Sequence, residues 1–547
     1  MDSTDNLKFQ QCVILLTTFK LYQALNIKAS PQMNYTNTLM PRRGINKEDL
    51  AQMMDTEYAL SIKNYIPYRY GLEKRKGLRN IAERAGADAI TLLEEFTAGV
   101  WIVGYSTKIE AYNTATAAWT TIKSDFSANS GFDGERYGEY FFVCNGVDKI
   151  WCIDNALAIT EIAASPICGG LKVIGPRMYA YRLSSDVTAI QYSEIDDGTN
   201  PPFNAWTQTT AADTGGTVYF RNAGPVRSVL QLGQYTVAFS DKGFYAFFLN
   251  TIDSAGTLKK VEVIQNYTED YGGARGAIET PLGIFYINEA GLWHMVAVGT
   301  TDTPMSRQQV LTSELLGAEY FVDVDQTNVD IVHDVNQKCI FVTCAKDSTT
   351  NNLIIGYKID LKAFFEFQNW NINRFARSGG IIYGASSVKT TLYQLFDGYS
   401  DDGLAIGTEY RQEIPLKTLF HAHSLSGLYA GGFLSPSTQL TIRFDTYSKD
   451  GVITEDKERY LWTAEGVAID YDEWGSAKWG ESAWGGDFDK AGLIESFGGG
   501  SPRINNMQRL VISVTGGDEL RHIINWLAVR TERKEAIRRR NISQITT

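Results

Sequence analysis

Residues 233–249, GQYTVAFSDKGFYAFFL, constrain this chain more than any other stretch. Tyr235, Val237 and Phe239 alternate with Thr236, Ala238 and Ser240, the period of two that sends successive side chains to opposite faces of a strand. Asp241-Lys242-Gly243 supplies a type I turn closed by a glycine free to take positive φ, and residues 244–249 return with aromatics on both faces, as a strand buried on both sides does. One hairpin is marginal alone, so it needs neighbours. The design returns in residues 283–295, GIFYINEAGLWHM, with Gly291 in place of Gly243 and Leu292-Trp293 in place of Phe244-Tyr245.

Further hairpin patterns occupy residues 99–113, residues 139–154 with an Asn145-Gly146 turn signal, and residues 177–194; looser ones occupy 336–360 and 379–398. Their spacing of roughly 40 to 55 residues leaves room for about four short strands, the size of a propeller blade. Blades bury one another's faces, so such a repeat needs its neighbours. The sequence therefore predicts an all-β fold in which residues 97–402 form an irregular β-propeller of about six or seven blades, with a serial β-sandwich as the alternative. A 12% aromatic content, with 49 Gly against 13 Pro, suits strands punctuated by glycine turns. At 547 residues the chain exceeds one compact core, and length alone suggests two to four domains.

Residues 403–530 read as a smaller C-terminal antiparallel β-domain. Residues 440–462 carry a Lys449-Asp450-Gly451 turn, and Leu510, Ile512 and Val514 are expected to pair with residues 523–529 across a Gly516-Gly517 turn. Between them, residues 471–488 place Trp474, Trp479 and Trp484 five apart, a spacing that fits neither helix nor strand. This is a Gly-rich loop displaying three indoles, which either pack on a partner or fold onto the propeller, with sugar stacking a third reading.

Residues 1–60 read as an N-terminal arm with a short helix at 47–60. The basic lead-in that follows, residues 61–96, concentrates Arg69, Lys74, Arg75, Lys76 and Arg79 on an acidic background. It is either a solvated turn or a docking surface for an acidic partner or a phosphate contact. Residues 531–547 form a basic tail ending in Arg538, Arg539 and Arg540, again either solvated or an electrostatic dock.

Net charge is −12 and the sequence pI about 5.1, which argues against nucleic-acid binding through an overall basic surface. An acidic lining would suit a conduit through which DNA slides without sticking. No apolar run reaches the roughly 20 residues of a membrane helix, and no signal-peptide pattern opens the chain. Cys12, Cys144, Cys152, Cys168, Cys339 and Cys344 lack CxxC spacing and read as reduced, mostly buried thiols. Phosphate-loop, nucleophile-elbow and zinc-helix motifs are missing from the sequence. His421 and His423 share a strand face without further ligands in reach, and Asp323, Asp325, Asn328 and Asp330 lack a calcium loop's glycine. No catalytic, cofactor or metal residues are therefore assigned.

The lead-in DTEYALSIKNYIPYRYGLEKRKGLRNI (residues 55–81), with its Asn-Tyr followed by a Gly-Leu-x-Lys-Arg-x-Gly turn, resembles the opening of tail hub proteins of short-tailed bacteriophages, also called nozzle or packaged-DNA stabilisation proteins. The likeness continues through GPVRSVLQLGQYTVAFSDKGFYAFFL (residues 224–249) and the strands near residues 511–529. It implies a propeller-based structural virion protein, forming a homohexameric ring beneath the portal and its head-to-tail adaptor. Such a ring extends the channel for double-stranded DNA, retains packaged DNA and passes it at ejection. It carries a tail needle, tip or fibre below, with possible contact with the host surface. Six copies at −12 each carry −72, a field favouring passage over adhesion. Other classes stay open: a receptor- or glycan-binding tail protein using the tryptophans, or a glycan-degrading propeller enzyme.

Overall fold

The computed structural model describes residues 34–39, 42–47, 49, 54–55 and 57–60, most of 61–414, and the segments 423–434, 439–447, 459–465, 509–518 and 522–533. Breaks within 61–414 fall at 87, 129–130, 197, 199–200, 208–214, 221–223, 234, 249–261, 269–275, 289, 298–304, 310–314, 317–319 and 322–323.

Five strands come first: β1 (Asn34–Leu39), β2 (Ser61–Lys63), β3 (Tyr65–Tyr68), β4 (Gly71–Lys74) and β5 (Leu78–Glu83). Then come antiparallel quartets. The first is β6 to β9 (Ile90–Thr97, Val100–Tyr105, Lys108–Asn113, Ala118–Lys123), the second β10 to β13 (Asp133–Tyr137, Tyr140–Cys144, Trp151–Ile153, Ile159–Glu161). The third is β14 to β17 (Cys168–Ile174, Arg177–Leu183, Ala189–Tyr192, Gly216–Tyr219), the fourth β18 to β21 (Val226–Leu232, Tyr235–Ser240, Gly243–Phe248, Glu262–Thr268). The fifth is β22 to β25 (Gly276–Thr280, Gly283–Asn288, Gly291–Ala297, Met305–Gln309), the sixth β26 to β29 (Val324–Asp334, Cys339–Lys346, Leu353–Lys358, Ala363–Gln368). The last comprises β30 (Ile372–Ser378), β31 (Ile381–Ser386) and β32 (Thr391–Leu395), and takes its fourth strand from the front of the chain: β5 pairs with β32, Leu78 opposite Leu395.

The first strands of successive quartets lie against one another, β6 on β10, β10 on β14, β14 on β18, β18 on β22, β22 on β26 and β26 on β30, and β30 in turn lies against β6. Apolar side chains fill the gaps between sheets. Phe96 and Ile102 meet Phe141 between the first and second, Phe142 meets Met178 between the second and third, and Tyr179 meets Phe247 between the third and fourth. Phe239 meets Tyr286 between the fourth and fifth, and Leu392 meets Trp101 between the last and the first. The fold is all-β, with many small twisted sheets stacked in a propeller-like arrangement. Alternation along each strand explains it, because both faces of a middle sheet are covered by its neighbours.

The hairpin forms as β19 against β20, with Gly243 outside the positive-φ region expected of it. Ser240 pairs with Gly243 across Asp241-Lys242, and Asp241 is held by Arg227 through two bonds of 2.6 and 2.9 Å. Its echo forms as β23 and β24, where Gly291 takes a φ of +126° that a side chain would strain.

The terminal strands are β33 (Ser400–Asp401), β34 (Leu404–Ile414), β35 (His423–Leu434), β36 (Gln439–Tyr447), β37 (Arg459–Glu465), β38 (Arg509–Asp518) and β39 (His522–Arg533). They do not form a unit from residues 403–530 alone. β39 pairs with β35 on one side and with β1 and β4 on the other; β34 pairs with β38 and β2, and β38 continues through β36 to β37. β2 also pairs in parallel with β29, Lys63 opposite Glu366, so this assembly is joined to the sixth quartet. One apolar cluster runs from Phe285 and Phe341 through Phe365 to Tyr65, Tyr410, Val514 and Ile524.

Two sequence expectations are corrected here. Gly516-Gly517 is strand, paired with Thr408 and Gly407, because β34 offers β38 a partner of matching length; β38 and β39 consequently belong to different sheets. None of the described residues within 47–60 is helical, and Ala59 instead bridges to Ile45. The β36–β37 hairpin is present, while its Lys449-Asp450-Gly451 turn lies outside the described residues.

Candidate functional site

The basic lead-in splits into surface and interior. Arg69 is exposed at the tip between β3 and β4, its guanidinium 5.7 Å from the Tyr70 ring centre, and Lys76 is exposed just past β4. Lys74 and Arg75 are buried at 1% and 0% exposure, so neither presents a surface to a partner. This corrects the reading of the segment as one docking face. Trp474, Trp479, Trp484, Arg538, Arg539 and Arg540 lie outside the described residues.

Arg75 occupies a polar joint between the quartets and the terminal strands. Its guanidinium donates to both carboxylate oxygens of Asp401 at 2.7 and 2.6 Å, and Nε donates to Asn64 Oδ1 at 2.9 Å. The face of the guanidinium lies 4.4 Å from the Trp370 ring centre, and the Trp370 indole donates to Asp401 at 3.0 Å. Planar, delocalised charge suits such a stacked, forked site, and a lysine could not reproduce it. Asn64, at φ +59°, completes the joint: its side-chain amide donates to the Gly407 carbonyl at 2.6 Å, and its Oδ1 accepts from Gln368 N at 3.0 Å. Burial pulls Arg75 below the usual arginine range, and Asp401 opposes that pull.

A second polar system lines the innermost strands. An innermost strand has one edge without a strand partner, so its backbone groups need side-chain partners. Asp133 of β10 accepts from Leu171 N of β14 at 3.2 Å; Asp330 of β26 accepts from Phe375 N of β30 at 2.6 Å. Asn373 and Arg374 of β30 donate to the carbonyls of Ile90 and Thr91 of β6 at 2.7 and 2.9 Å. Thr91 Oγ1 accepts from Phe132 N at 3.0 Å. Side chains thus stitch β6 to β10, β10 to β14, β26 to β30 and β30 to β6.

Charge accumulates along this seam. Glu135 of β10 pairs with Lys172 of β14 at 2.9 Å, and Glu94 of β6 stands beside them. Desolvation, followed by repulsion from Glu135, pushes the Glu94 carboxyl up to about 8, with Lys172 opposing. Glu94 nevertheless reaches solvent. Burial likewise raises Asp330, against Arg374. Among the described residues, no three His, Cys, Asp or Glu are arranged to hold a metal ion. The arrangement can neutralise charge and position backbone along the inner strands. Spacing in the sequence could not have revealed it, since its members are spread over five sheets.

No family model matches the chain, and no curated protein matches it in sequence. Among solved structures it is similar to the one titled "Crystal Structure of Mitotic Checkpoint Complex", at 12% identity over 58% of this chain and 96% of that chain, TM-score 0.38. It is also similar to the computationally designed Ika8 protein, at 9% identity over 58% of this chain and 100% of that chain, TM-score 0.36. A third is the extracellular domain of a hybrid two-component system from B. thetaiotaomicron, at 11% identity, with 58% of this chain and 39% of that chain covered, TM-score 0.40. None of the three is described as a phage tail protein, and likenesses of this size carry no functional inference.

Proposed function

We propose that this chain is a structural, non-enzymatic virion protein of the tail-hub or nozzle kind, built on a closed seven-bladed β-propeller. Seven quartets, the contact of β30 with β6, and the supply of the last quartet's outer strand by β5 support the closed propeller. One observation carries the functional reading. The lead-in on which the family likeness rests contains a buried joint: its Arg75 locks the terminal strands to the quartets through Asp401, Asn64 and Trp370. A sequence pattern spent on rigid internal connection suits a scaffold that must transmit load between neighbours.

In this reading six copies form a ring under the portal and adaptor. Each subunit presents two different faces, as heterologous ring closure requires. Double-stranded DNA passes along the ring axis, its adhesion disfavoured by the net charge of −12 on each subunit, and a needle, tip or fibre attaches below. The exposed Arg69 and Lys76 remain interface candidates. The test is direct imaging of the purified protein, alone and mixed with portal-adaptor complexes. Class averages with six-fold symmetry and a central hole are expected; a monomer that ignores those complexes overturns the reading.

A further inference from the structure

The tip between β3 and β4 meets the turns of the sixth and last quartets. Lys358, at the end of β28, has its ammonium 5.0 Å from the Tyr68 ring centre and donates to the Gln337 carbonyl in the β26–β27 turn. That turn is tied to the β28–β29 turn by Ile359 N, which donates to the Lys338 carbonyl at 2.9 Å. It is tied to the β30–β31 turn by Asn336 Nδ2, which donates to the Gly380 carbonyl at 3.2 Å. These turns form one surface, on which Tyr70, Val335 and Ile381 are 58%, 45% and 41% exposed. Arg69, Lys338, Lys362 and Arg377 are exposed beside them, and none of these cations makes an ion pair with a described residue. The carboxylates at hand are the exposed Asp360 and Asp334, whose Oδ1 is taken up by the amides of Asn336 and Gln337. In a chain of net charge −12, such a patch asks for an acidic occupant.

We propose that this patch is the docking surface for the chain's own tryptophan segment, residues 470–489, held by ion pairs around indoles packed on Tyr70, Val335 and Ile381. The segment carries Asp470, Asp472, Glu473, Glu481, Asp487 and Asp489 against Lys478 alone, with Trp474, Trp479 and Trp484 spaced among them. It offers carboxylates to the cations and aromatic surface to the apolar side chains, and guanidinium and ammonium groups also sit well on indole faces. A phosphate polymer would answer the cations but leave Tyr70, Val335 and Ile381 facing water. The chain is long enough to make the contact. Ala464 of β37 pairs with Leu440, Leu440 with Gly516 and Gly516 with Thr408, so the end of β37 stands about 14 Å from Thr408. Asn64 holds the carbonyl of the adjoining Gly407, and the six residues after Asn64 reach Tyr70 within about 20 Å. The 14 residues that follow Glu465 and end at Trp479 span up to about 46 Å, and the 25 after Trp484 lead back to Arg509 with up to about 80 Å. The docking does not rest on the tail-hub reading, because both surfaces belong to one chain and a monomer suffices to show it.

Full-length protein, half of it grown on heavy nitrogen, is mixed in urea, refolded together and treated with a carbodiimide, which joins amines to carboxylates in contact; the digest is read by mass spectrometry. The expected links run from Lys338 or Lys362 to carboxylates of residues 470–489, always within chains of one isotope. Lys108, exposed in the first quartet, should give no link to that segment. The yield should fall about tenfold in molar salt, and as far in the double variant Arg69→Glu, Arg377→Glu, which keeps both lysines. Trp479→Ala keeps every carboxylate and should lower the yield as well. Links between heavy and light chains would assign the patch to a neighbouring copy and overturn the proposal. Wild-type protein whose other lysines link while Lys338 and Lys362 do not reach residues 470–489 overturns it too, as does a yield unchanged in the double variant.

Discussion

Arg75 and Asp401 stand 326 residues apart in sequence and meet as a two-pronged ion pair with the arginine wholly enclosed. The pair closes a network that joins β4, β29 and the β33 turn, so its loss acts on the connection between two parts of the molecule.

Replacing Asp401 by Ala leaves the Arg75 charge buried with the Asn64 side chain and the Lys76 carbonyl for company. Breaking a buried pair from one side costs about 3–5 kcal/mol. The urea midpoint should fall accordingly, with protease cleavage appearing first around residues 397–404; an unchanged midpoint would show that the joint is dispensable.

Gly77 is packed against the chain beside this pair. A Cβ there would stand 1.8 Å from the Ser400 carbonyl oxygen, which is backbone and cannot swing away. Gly77→Ala should therefore destabilise by about 1–3 kcal/mol through overpacking. Hydrogen exchange at the β5 amides gives the check, with faster exchange there than in β11 expected.

Phe247 is fully buried between the third and fourth sheets, its ring centre 6.4 Å from Tyr179 and 5.7 Å from Phe220. Phe247→Ala opens a cavity in that layer and should cost about 3–5 kcal/mol. Thermal melting followed by near-ultraviolet dichroism reports it, and a melting temperature within error of wild type would contradict the packing described.

Glu94 gives stability a pH dependence. Its folded pKa, near 8, lies above the unfolded value of about 4.3. The folded state therefore holds the proton more tightly, and that contribution is complete below the unfolded value and lost as pH rises through the folded one. Glu135, Asp133 and Asp330 add to the effect and Lys172 opposes it. Melting temperature should drop between about pH 5 and about pH 9 more steeply in wild type than in Glu94→Gln. Parallel curves would place the titration elsewhere.

The repeated hairpins were legible because period two, glycine turns and paired aromatics are local signals: Val237 and Phe239 need only their own strand to declare themselves. What decides Arg75 is Asp401, and no local rule connects them; a run of cations looks the same whether it is solvated or enclosed. Gly516-Gly517 has the composition of a turn, yet β34 pairs straight through it, since a strand's end is set by its partner's length as well as by its own residues. Glu94, Glu135 and Lys172 come together only because three sheets bring their inner strands side by side. The fourth strand of the last quartet escaped sequence reading for the same reason, having been made before its first.

That borrowed strand sets a clock on biosynthesis. β5 leaves the ribosome early and waits for β32, and β1 waits longer still for β39. Throughout that interval the nascent chain carries raw strand edges, the feature most prone to pairing with other molecules. A stalled or truncated product ending before residue 391 lacks β32 and keeps that edge open. Such fragments should accumulate as aggregate instead of as shorter working versions, making completion of translation the step that seals the molecule.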